Sequence, residues 1–351
     1  MGEKNNVALV FMVNHMHYGG CQKIVYDLLI GIHDRFKSIY LISNPGHYSE
    51  LIQNRTKIKF IDRSNLSFYG IILAIARIKS KSEKLILHTH NRIDIVYKFL
   101  LRNNDSHIHT FHSAYVNKNF MYKLIKPQYS VSISNTVKKY LNQYGIENKL
   151  IYNGFDINQQ KYTNNKVIDV ENIQLSILYI GRVTKDKGFD DLLNAILLFE
   201  HHKINCIKLE VIGDGEKLNY YKDLVRKYGS VNVKFSGFKS NPWESVNDHD
   251  LLIIPSYFEG FCLVAAEGAA IGIPIIGNNI SALREVLYFS AESNFFNVHD
   301  VRSIQSSILE FVENISNNRE VAIMNSERIR EKFSISLMHK NYLDVYNSLI
   351  K

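Results

Sequence analysis

Thirteen residues, Pro255-Ser-Tyr-Phe-Glu-Gly-Phe-Cys-Leu-Val-Ala-Ala-Glu267, follow directly on the apolar run Leu251-Leu-Ile-Ile254. This run is far shorter than the roughly 18 apolar residues of a membrane-spanning helix, so it predicts a fully buried strand. Residues 263–270 are rich in helix formers and contain no proline, which predicts a helix. The order is therefore strand, loop, helix, the repeating unit of an α/β fold.

Two carboxylates, Glu259 and Glu267, bracket the loop of this stretch. A helix that begins near Phe261 or Cys262 would point its first backbone N–H groups and the positive end of its dipole into the loop, where they favour an anion such as pyrophosphate. Carboxylates repel phosphate, so the two glutamates would instead accept hydrogen bonds from hydroxyl groups on either side of it. Ribose, diphosphate and sugar in a nucleotide sugar have that layout.

Length and composition bound the rest of the chain. It has 351 residues, of which 46% are hydrophobic, and these values predict two packed domains. Three cysteines, at positions 21, 206 and 262, are too few and too scattered for a disulfide framework or a zinc cluster, so a reducing cytosol is expected. The seven apolar residues Val7–Val13 predict a first strand rather than a signal peptide.

The positive charge lies in the first half of the chain. Residues 1–165 carry 22 Lys and Arg against 10 Asp and Glu, a net +12, whereas residues 166–351 carry 20 against 24, a net −4. An anionic membrane surface or a lipid-diphosphate acceptor fits these dispersed cations better than nucleic acid, although a merely soluble basic surface fits as well. The local candidate for a membrane contact is Tyr115–Lys126, which would otherwise be a helix packed on the sheet.

Strand patterns alternate with helical ones through both halves, which predicts two successive open parallel sheets. The polar stretch 153–166 reads as the linker between them. We therefore predict an N-terminal domain over 1–165, a second domain over 166–335, and a last helix, 336–351, that packs back towards the first. Gly19 and Gly20 precede the first helix, where they either let the backbone approach a ligand or form a plain turn.

Further candidate residues follow strands of the second half. Arg182 and Lys187 lie in the turn Ile180–Gly188, which places them at the carboxyl edge of the sheet, where open α/β folds bind ligands. Arginine would contact a diphosphate through two parallel hydrogen bonds, and lysine would act as a point charge. The alternative is that both side chains are solvated surface cations. Glycines also end the next two strands, in Gly213-Asp-Gly215 and Ser236-Gly237.

These motifs, together with Thr110-Phe-His112 and Asn153-Gly-Phe-Asp156 in the first half, resemble the signature set of the retaining glycosyltransferases of family 4 over about residues 7–290. That family has the GT-B fold, two Rossmann-like α/β domains with an interdomain cleft. The resemblance implies that Glu267 holds the ribose, that Glu259 and His112 face the donor sugar, and that Arg182 and Lys187 neutralise the diphosphate. The donor-binding set that it implies is Gly19, Gly20, Gly181, Gly237, Gly260, Phe261, Cys262, Leu263 and Glu267.

The resemblance further implies a metal-independent hexosyltransferase without a cofactor. A UDP-sugar is the favoured donor, and a lipid-linked or growing glycan of a bacterial surface polysaccharide is the acceptor. The expected location is the cytoplasm, with peripheral contact to the inner face of the cell membrane. A nucleotide-sugar epimerase or phosphorylase of the same fold, or a sugar-nucleotide-binding protein without turnover, are the alternatives.

Three positions depart from the family pattern. Cys262 stands where the family has glycine, so a backbone angle that needs glycine would be strained there. Gly268 replaces the usual alanine after the second glutamate, and the stretch 278–282 lacks the glycines often found near it.

Two clusters invite a metal and are predicted to hold none. Asp248-His-Asp250 resembles an Asp-x-Asp metal motif, but it precedes a strand at the end opposite the site, so a solvated or helix-capping role is expected. On one strand, His107 and His109 share a face and His112 takes the other, so one ion cannot easily be held by all three.

Overall fold

The computed structural model describes residues 6–113, 126–157, 160–164, 166, 173–199, 204–228 and 232–350. By its internal contacts the chain divides into two compact units, Met1–Asp156 with Phe333–Lys351, and Ile157–Lys332. The second domain was predicted to span residues 166–335, whereas the second unit of this division spans Ile157–Lys332. The predicted membrane segment, Tyr115–Lys126, lies outside the described residues except for Lys126.

The first unit is a parallel sheet covered by helices. Seven strands form the sheet in the order β3-β2-β1-β4-β5-β6-β7. These strands are β1 (Val7–His15), β2 (Ser38–Asn44), β3 (Lys59–Asp62), β4 (Lys84–Thr89), β5 (Ser106–Phe111), β6 (Tyr129–Ser132) and β7 (Lys149–Leu150). The helices before the linker are α1 (Gly20–Ile32), α2 (His47–Arg55), α3 (Phe68–Lys79) and α4 (Asn135–Gln143), with a 3₁₀ helix at Arg92–Leu100.

The second unit repeats this plan with six strands in the order β10-β9-β8-β11-β12-β13. They are β8 (Ile173–Ile180), β9 (Ile204–Ile212), β10 (Asn232–Gly237), β11 (Leu251–Ile254), β12 (Ile275–Asn278) and β13 (Phe295–Phe296). The helices are α5 (Phe189–Leu197), α6 (Leu218–Tyr228), α7 (Leu263–Ile271), α8 (Ser281–Val286), α9 (Val301–Glu313) and α10 (Ile315–Lys332). The prediction of two Rossmann-like units with a helical tail is confirmed.

The last helix, α11 (Ile335–Ile350), belongs to the first unit. Two tyrosines of this helix, Tyr342 and Tyr346, are buried against the sheet, and the Tyr346 hydroxyl lies 2.7 Å from Nδ1 of His88. His339 contacts the backbone carbonyl of Asp27 in α1 at 2.9 Å. Apolar packing and polar contacts together therefore hold this segment on the first unit.

Strands β1 and β11 are buried along almost their whole length, because helices cover both faces of a parallel sheet. In each unit the strand order reverses direction between two central neighbours, β1 and β4 in the first, β8 and β11 in the second. The loops after such neighbours diverge and leave a crevice at the carboxyl edge, which is where open α/β sheets bind ligands. In the described part of the chain, no helix combines the length and hydropathy that a membrane span requires.

Candidate active site

The crevice of the second unit brings together residues from two loops. The loop after β8 carries Arg182 and Lys187, and the loop after β11 carries Ser256 and Glu259. Because β8 and β11 are paired neighbours, both loops leave the sheet at adjacent carboxyl ends. The structure thus brings together two motifs that are far apart in the chain, since Lys187 and Glu259 are separated by 72 residues.

Lys187 and Glu259 form an ion pair at the centre of this arrangement. Nζ of Lys187 lies 2.6 Å from Oε1 of Glu259, and the Ser256 hydroxyl donates to the same oxygen at 2.8 Å. Both charged side chains are less than one-fifth exposed, so water screens the pair only weakly. The ammonium group of Lys187 is therefore held at the carboxyl edge of the sheet by the carboxylate of Glu259, and any anion that binds Lys187 has to compete with this carboxylate.

Gly188 explains how the two loops come so close. Its backbone has φ +64°, and a Cβ atom there would lie 1.9 Å from the carbonyl oxygen of Pro255. Any side chain at position 188 would therefore push the loops apart. The glycine that follows Lys187 is thus a condition for the ion pair with Glu259.

Arg182 lies on the same edge but outside this pair. Its side chain is 66% exposed and its guanidinium contacts Asp186 at 2.9 Å. The Tyr179 hydroxyl donates to the Arg182 carbonyl at 2.7 Å and so fixes the backbone, while the side chain projects into solvent. Arg182 lines an open pocket together with Thr184, Lys185, Asp186, Gly215 and Glu216.

The predicted glycines of this edge connect neighbouring strand ends through their backbones. Gly181 donates to the carbonyl of Ile212, and Gly213 donates to the carbonyl of Gly237 at 2.8 Å. A Cβ atom on Gly213 would lie 1.8 Å from the Gly181 carbonyl oxygen. Gly213 therefore serves close packing of the loops against each other, whereas a Cβ atom on Gly237 would have no other atom within 4 Å.

Helix α7 begins at Leu263, one or two residues after the predicted start, and Cys262 is its cap residue. Cys262 has φ +62° and ψ +74°, and it is the one non-glycine residue with a positive φ in the part of the chain that the structure describes. The strain expected at this departure is therefore present in the backbone. Burial raises the pKa of its thiol, so the side chain is a protonated, buried group.

Glu267 faces Trp243, the only tryptophan of the chain. The indole Nε1 donates to Oε2 of Glu267 at 3.2 Å. A Cβ atom on Gly268 would lie 2.8 Å from Leu252 and 3.3 Å from the Trp243 ring. The glycine that replaces the usual alanine thus leaves room for Leu252 as well as for the indole, and the indole N–H binds the Glu267 carboxylate.

Asn278, in the stretch that lacks the expected glycines, supports the loop from behind. Its side-chain amide donates to the Ser256 carbonyl at 3.0 Å, and its oxygen accepts from the Val298 backbone at 3.1 Å. The residue is buried. The departure at 278–282 therefore includes a residue that holds Ser256 in place.

In the first unit, His112 follows β5 and contacts His90, which follows β4. Nε2 of His112 and Nδ1 of His90 are 2.9 Å apart. Burial lowers the pKa of His112 to about 4, and burial together with neighbouring histidines holds the pKa of His90 well below its usual range. Both rings are therefore neutral at pH 7. Gly19 and Gly20 are exposed at the start of α1 in the same unit.

The metal candidates have structural roles. His107 and His109 both contact the hydroxyl of Thr89, at 2.9 and 2.8 Å, whereas His112 contacts His90. Over the described ranges, no group of three or more His, Cys, Asp or Glu side chains is arranged to hold a metal ion.

The expectation of a solvated or capping role is wrong for Asp250. Its carboxylate is 1% exposed, pairs with Arg319 at 2.8 Å and accepts from the Ser176 backbone at 2.9 Å. It thus ties α10 to the sheet at the edge opposite the site.

Sequence reasoning missed the partners that position the predicted residues. Ser256 lies inside the opening stretch, and Trp243 is conspicuous as the single tryptophan, but neither signal says what the side chain contacts. His90 directly follows β4 as His112 follows β5, and this position beyond a strand end was the signal that could have identified it.

Comparison with known proteins identifies the family. Residues 160–338, 179 of 351, match the family described as glycosyl transferases group 1. The chain is similar to an uncharacterised 41.2 kDa protein of the cps region of Klebsiella pneumoniae, with 29% identity over 206 residues that cover 57% of this chain and 55% of that protein. It is also similar to the O-antigen biosynthesis glycosyltransferase WclY of Escherichia coli, with 29% identity over 58% of this chain and 56% of WclY. The match thus spans little more than half the length of these curated relatives.

The fold is shared with solved structures. Anabaena HepE, in complex with UDP and glucose, matches 97% of this chain and 99% of its own with a TM-score of 0.78 and 15% identity. A glycosyltransferase from Rickettsia africae matches 98% and 99% with a TM-score of 0.77 and 18% identity. These likenesses confirm the predicted GT-B fold, and the family match shows that the chain belongs to the glycosyl transferases group 1.

Proposed function

We propose that this protein transfers a hexosyl group from a nucleoside diphosphate donor, a UDP-sugar in the first instance, to a glycan acceptor. The observation that carries the proposal is the Lys187–Glu259 pair at the crevice of the second unit, inside the region that matches the family. An ammonium beside a carboxylate, at a loop that opens a helix, provides one group for a diphosphate and one for hydroxyls. The HepE structure, with UDP and glucose, supports this choice of ligand.

The chemistry needs positive groups where negative charge develops. When the bond between the sugar C1 and the phosphate oxygen breaks, the bonding pair stays on the departing diphosphate, and Lys187 with Arg182 would stabilise that charge. The backbone groups at the start of α7 would add to it. The acceptor oxygen would bond to C1 from the side on which the diphosphate departs, and its proton would pass to a phosphate oxygen of that leaving group. Attack from this side keeps the configuration at C1, which is the retention that the family resemblance implies, and it uses no metal.

The remaining residues would position the donor. Glu259 would accept hydrogen bonds from the sugar and Glu267, oriented by Trp243, from the ribose. His112 would present a neutral ring to the sugar, since burial holds its pKa at about 4. Each of these groups would act by holding the donor in the reactive orientation. This lowers the activation barrier, because the entropy of a correctly placed donor is already reduced when it is bound.

The acceptor is proposed as a lipid-linked or growing surface glycan. Relatives named for O-antigen and capsular polysaccharide biosynthesis, WclY of E. coli and CapM of Staphylococcus aureus, support this choice. The net +12 of residues 1–165 fits an acidic acceptor or an anionic membrane at the cytoplasmic face.

A thermal-shift panel of UDP-glucose, UDP-N-acetylglucosamine and GDP-mannose tests the donor. A ligand present at 100 times its Kd should stabilise the folded chain by about 2.7 kcal/mol. UDP release from the stabilising donor should be abolished in Lys187→Ala and in Glu267→Ala, and kept in Glu313→Ala, which removes an exposed glutamate at the end of α9. Normal turnover in either site variant would refute the assignment.

The same incubations separate the alternatives. Conversion of one sugar nucleotide into another would indicate an epimerase, and release of sugar phosphate after addition of phosphate would indicate a phosphorylase. Stabilisation without any turnover would indicate a binding protein.

A further inference from the structure

His90 lies at the crevice of the first unit, between the ends of two central strands. The strand order of this unit reverses between β1 and β4, and His90 directly follows β4. Its backbone N–H donates to the carbonyl of Met12 in β1 at 3.0 Å. The side-chain oxygen of Asn91, the next residue, accepts from the backbone N–H of Asn14 at 2.6 Å. The main chain therefore fixes His90 at the edge where open α/β sheets bind ligands.

The ring of His90 is enclosed by other rings. Its side chain is only 5% exposed. It stacks on Phe11 with 5.7 Å between centroids and 13° between planes, and the ring of His88 lies 4.2 Å away. A charged imidazolium is disfavoured in such surroundings. The ring of His90 is therefore neutral, with one protonated and one bare nitrogen.

The contact between His90 and His112 contains one shared hydrogen. Nδ1 of His90 lies 2.9 Å from Nε2 of His112, and both rings are neutral. Of two neutral rings in contact, one donates and the other accepts. Either His112 donates from Nε2, or His90 donates from Nδ1. The choice fixes which nitrogen of each ring carries the proton, because a neutral imidazole has only one.

The second nitrogen of His90 decides between these two arrangements. Nε2 of His90 is buried and has no hydrogen-bond partner among the residues that the structure describes. If His112 donated, this Nε2 would carry the proton of His90, and a buried N–H would have lost its bond to water without a replacement. The N–H lies in the plane of its ring, so it does not point at the parallel face of Phe11. A bare nitrogen loses less there, because ring C–H groups can still act as weak donors towards it.

We propose that His90 is a positioning residue, which donates from Nδ1 to Nε2 of His112 and so keeps the proton of His112 on Nδ1. The hydrogen bond at one imidazole nitrogen sets the protonation of the other. His112 is only partly buried, and with Nε2 engaged its Nδ1–H is the group that meets a substrate oxygen. The inference rests on the proposed function in one point, that His112 faces the donor sugar.

This tautomer decides what His112 does in the reaction. A ring nitrogen that already carries a proton cannot take another from the acceptor hydroxyl without becoming charged, and burial disfavours that charge. His112 instead donates a hydrogen bond to an oxygen of the donor sugar. It therefore acts on the orientation of the sugar and not as a general base.

NMR of the full chain with ¹⁵N-labelled histidines tests the proposal at neutral pH without any substrate. A protonated and a bare ring nitrogen differ strongly in ¹⁵N shift, so spectra that connect the ring nitrogens to the ring C–H protons identify each tautomer. The chain has 14 histidines, and the signals of His112 are those lost in His112→Asn. We expect Nδ1 of His112 to be protonated and its Nε2 to be bare, and the same for His90.

Variants at position 90 connect this tautomer to the proposed donor. His90→Leu removes the N–H, so His112 should change to the Nε2–H tautomer that a free imidazole side chain prefers in water. UDP release from a UDP-sugar should then fall about tenfold, the value of one hydrogen bond. UDP alone has no sugar, so its affinity should not change. His90→Asn places an amide N–H near the position of Nδ1 and should keep both the tautomer and, within about threefold, the rate.

The matched control is His107→Leu. It removes another buried imidazole, which contacts Thr89 and not His112, and should change neither the tautomer nor the rate. A proton on Nε2 of wild-type His112, or an unchanged tautomer in His90→Leu, would overturn the proposal. A reversed tautomer with an unchanged rate would overturn the positioning role.

The NMR result does not depend on turnover, so failure of this inference and failure of the proposed function give different results. If His90→Leu does not fold, the wild-type spectrum decides, because a proton on Nε2 of His112 is incompatible with a donor at Nδ1 of His90.

Discussion

Replacing Glu259 by glutamine should tighten the binding of UDP while it abolishes turnover. Lys187 is engaged by Glu259 at 2.6 Å, and a diphosphate that approaches the ammonium also meets the negative charge of the carboxylate. UDP carries no sugar, so the proposed contact of Glu259 with the donor sugar does not enter its affinity. Glutamine keeps the size of the side chain and an oxygen for the Ser256 hydroxyl, but it removes the competing charge.

The magnitude follows from the distance and the exposure of the pair. Two unit charges 4 Å apart interact by about 1 kcal/mol in water and about 4 kcal/mol at an effective dielectric constant of 20. Lys187 and Glu259 are 19% and 17% exposed, so their environment lies between these limits. Since the neutral variant still solvates the ammonium in part, we expect a net gain of about 1–2 kcal/mol, or 5- to 30-fold in Kd.

Isothermal titration of UDP into four variants measures this effect. Glu259→Gln should bind more tightly than wild type, Lys187→Met more weakly, and the exposed-site control Glu313→Gln equally. In the Lys187→Met background the gain from Glu259→Gln should shrink, because the two residues are coupled. Unchanged or weaker UDP binding by Glu259→Gln in the wild-type background would refute the idea that this carboxylate competes for the lysine.

Three further predictions concern Cys262, Trp243 and His107. Cys262→Gly should unfold at a temperature about 1–4 °C higher than Cys262→Ala. Alanine keeps the cost of the left-handed backbone, about 1–2 kcal/mol, which glycine avoids, and the greater chain entropy of unfolded glycine offsets only part of this gain. The reverse order of unfolding temperatures in calorimetry would contradict the strain. Trp243→Phe should raise the Kd for UDP several-fold by releasing Glu267, and an unchanged Kd would show that the indole is only packing. Burial lowers the pKa of His107 to about 3, so between pH 6.5 and 3 the unfolded chain binds a proton that the folded chain does not. Stability should therefore fall on acidification by up to about 1.4 kcal/mol per pH unit for this residue, and a slope unaltered by His107→Asn would exclude that cause.

The sequence predicted the elements of the fold because those depend on local patterns. Apolar runs such as Leu251–Ile254 and the periodic helical segments between them indicated two parallel sheets, and α7 begins close to the predicted residue. The expectation of strain at Cys262 came from the family pattern, which has glycine at this position, and the positive φ of Cys262 agrees with it. The error at Asp250 came from a partner, Arg319, that lies 69 residues away in the chain.

What the sequence by itself predicted is the kind of site: Arg182, Lys187 and Glu259 on loops at the carboxyl edge of a parallel sheet, and Glu267 in the helix that follows. Only the tertiary structure decided which of these groups contact each other. Strand order makes β8 and β11 neighbours, and that adjacency brings Lys187 onto Glu259 while it leaves Arg182 with Asp186. Pairing across a sheet joins residues far apart in the chain, so it depends on how whole strands pack and not on the pattern of any one stretch.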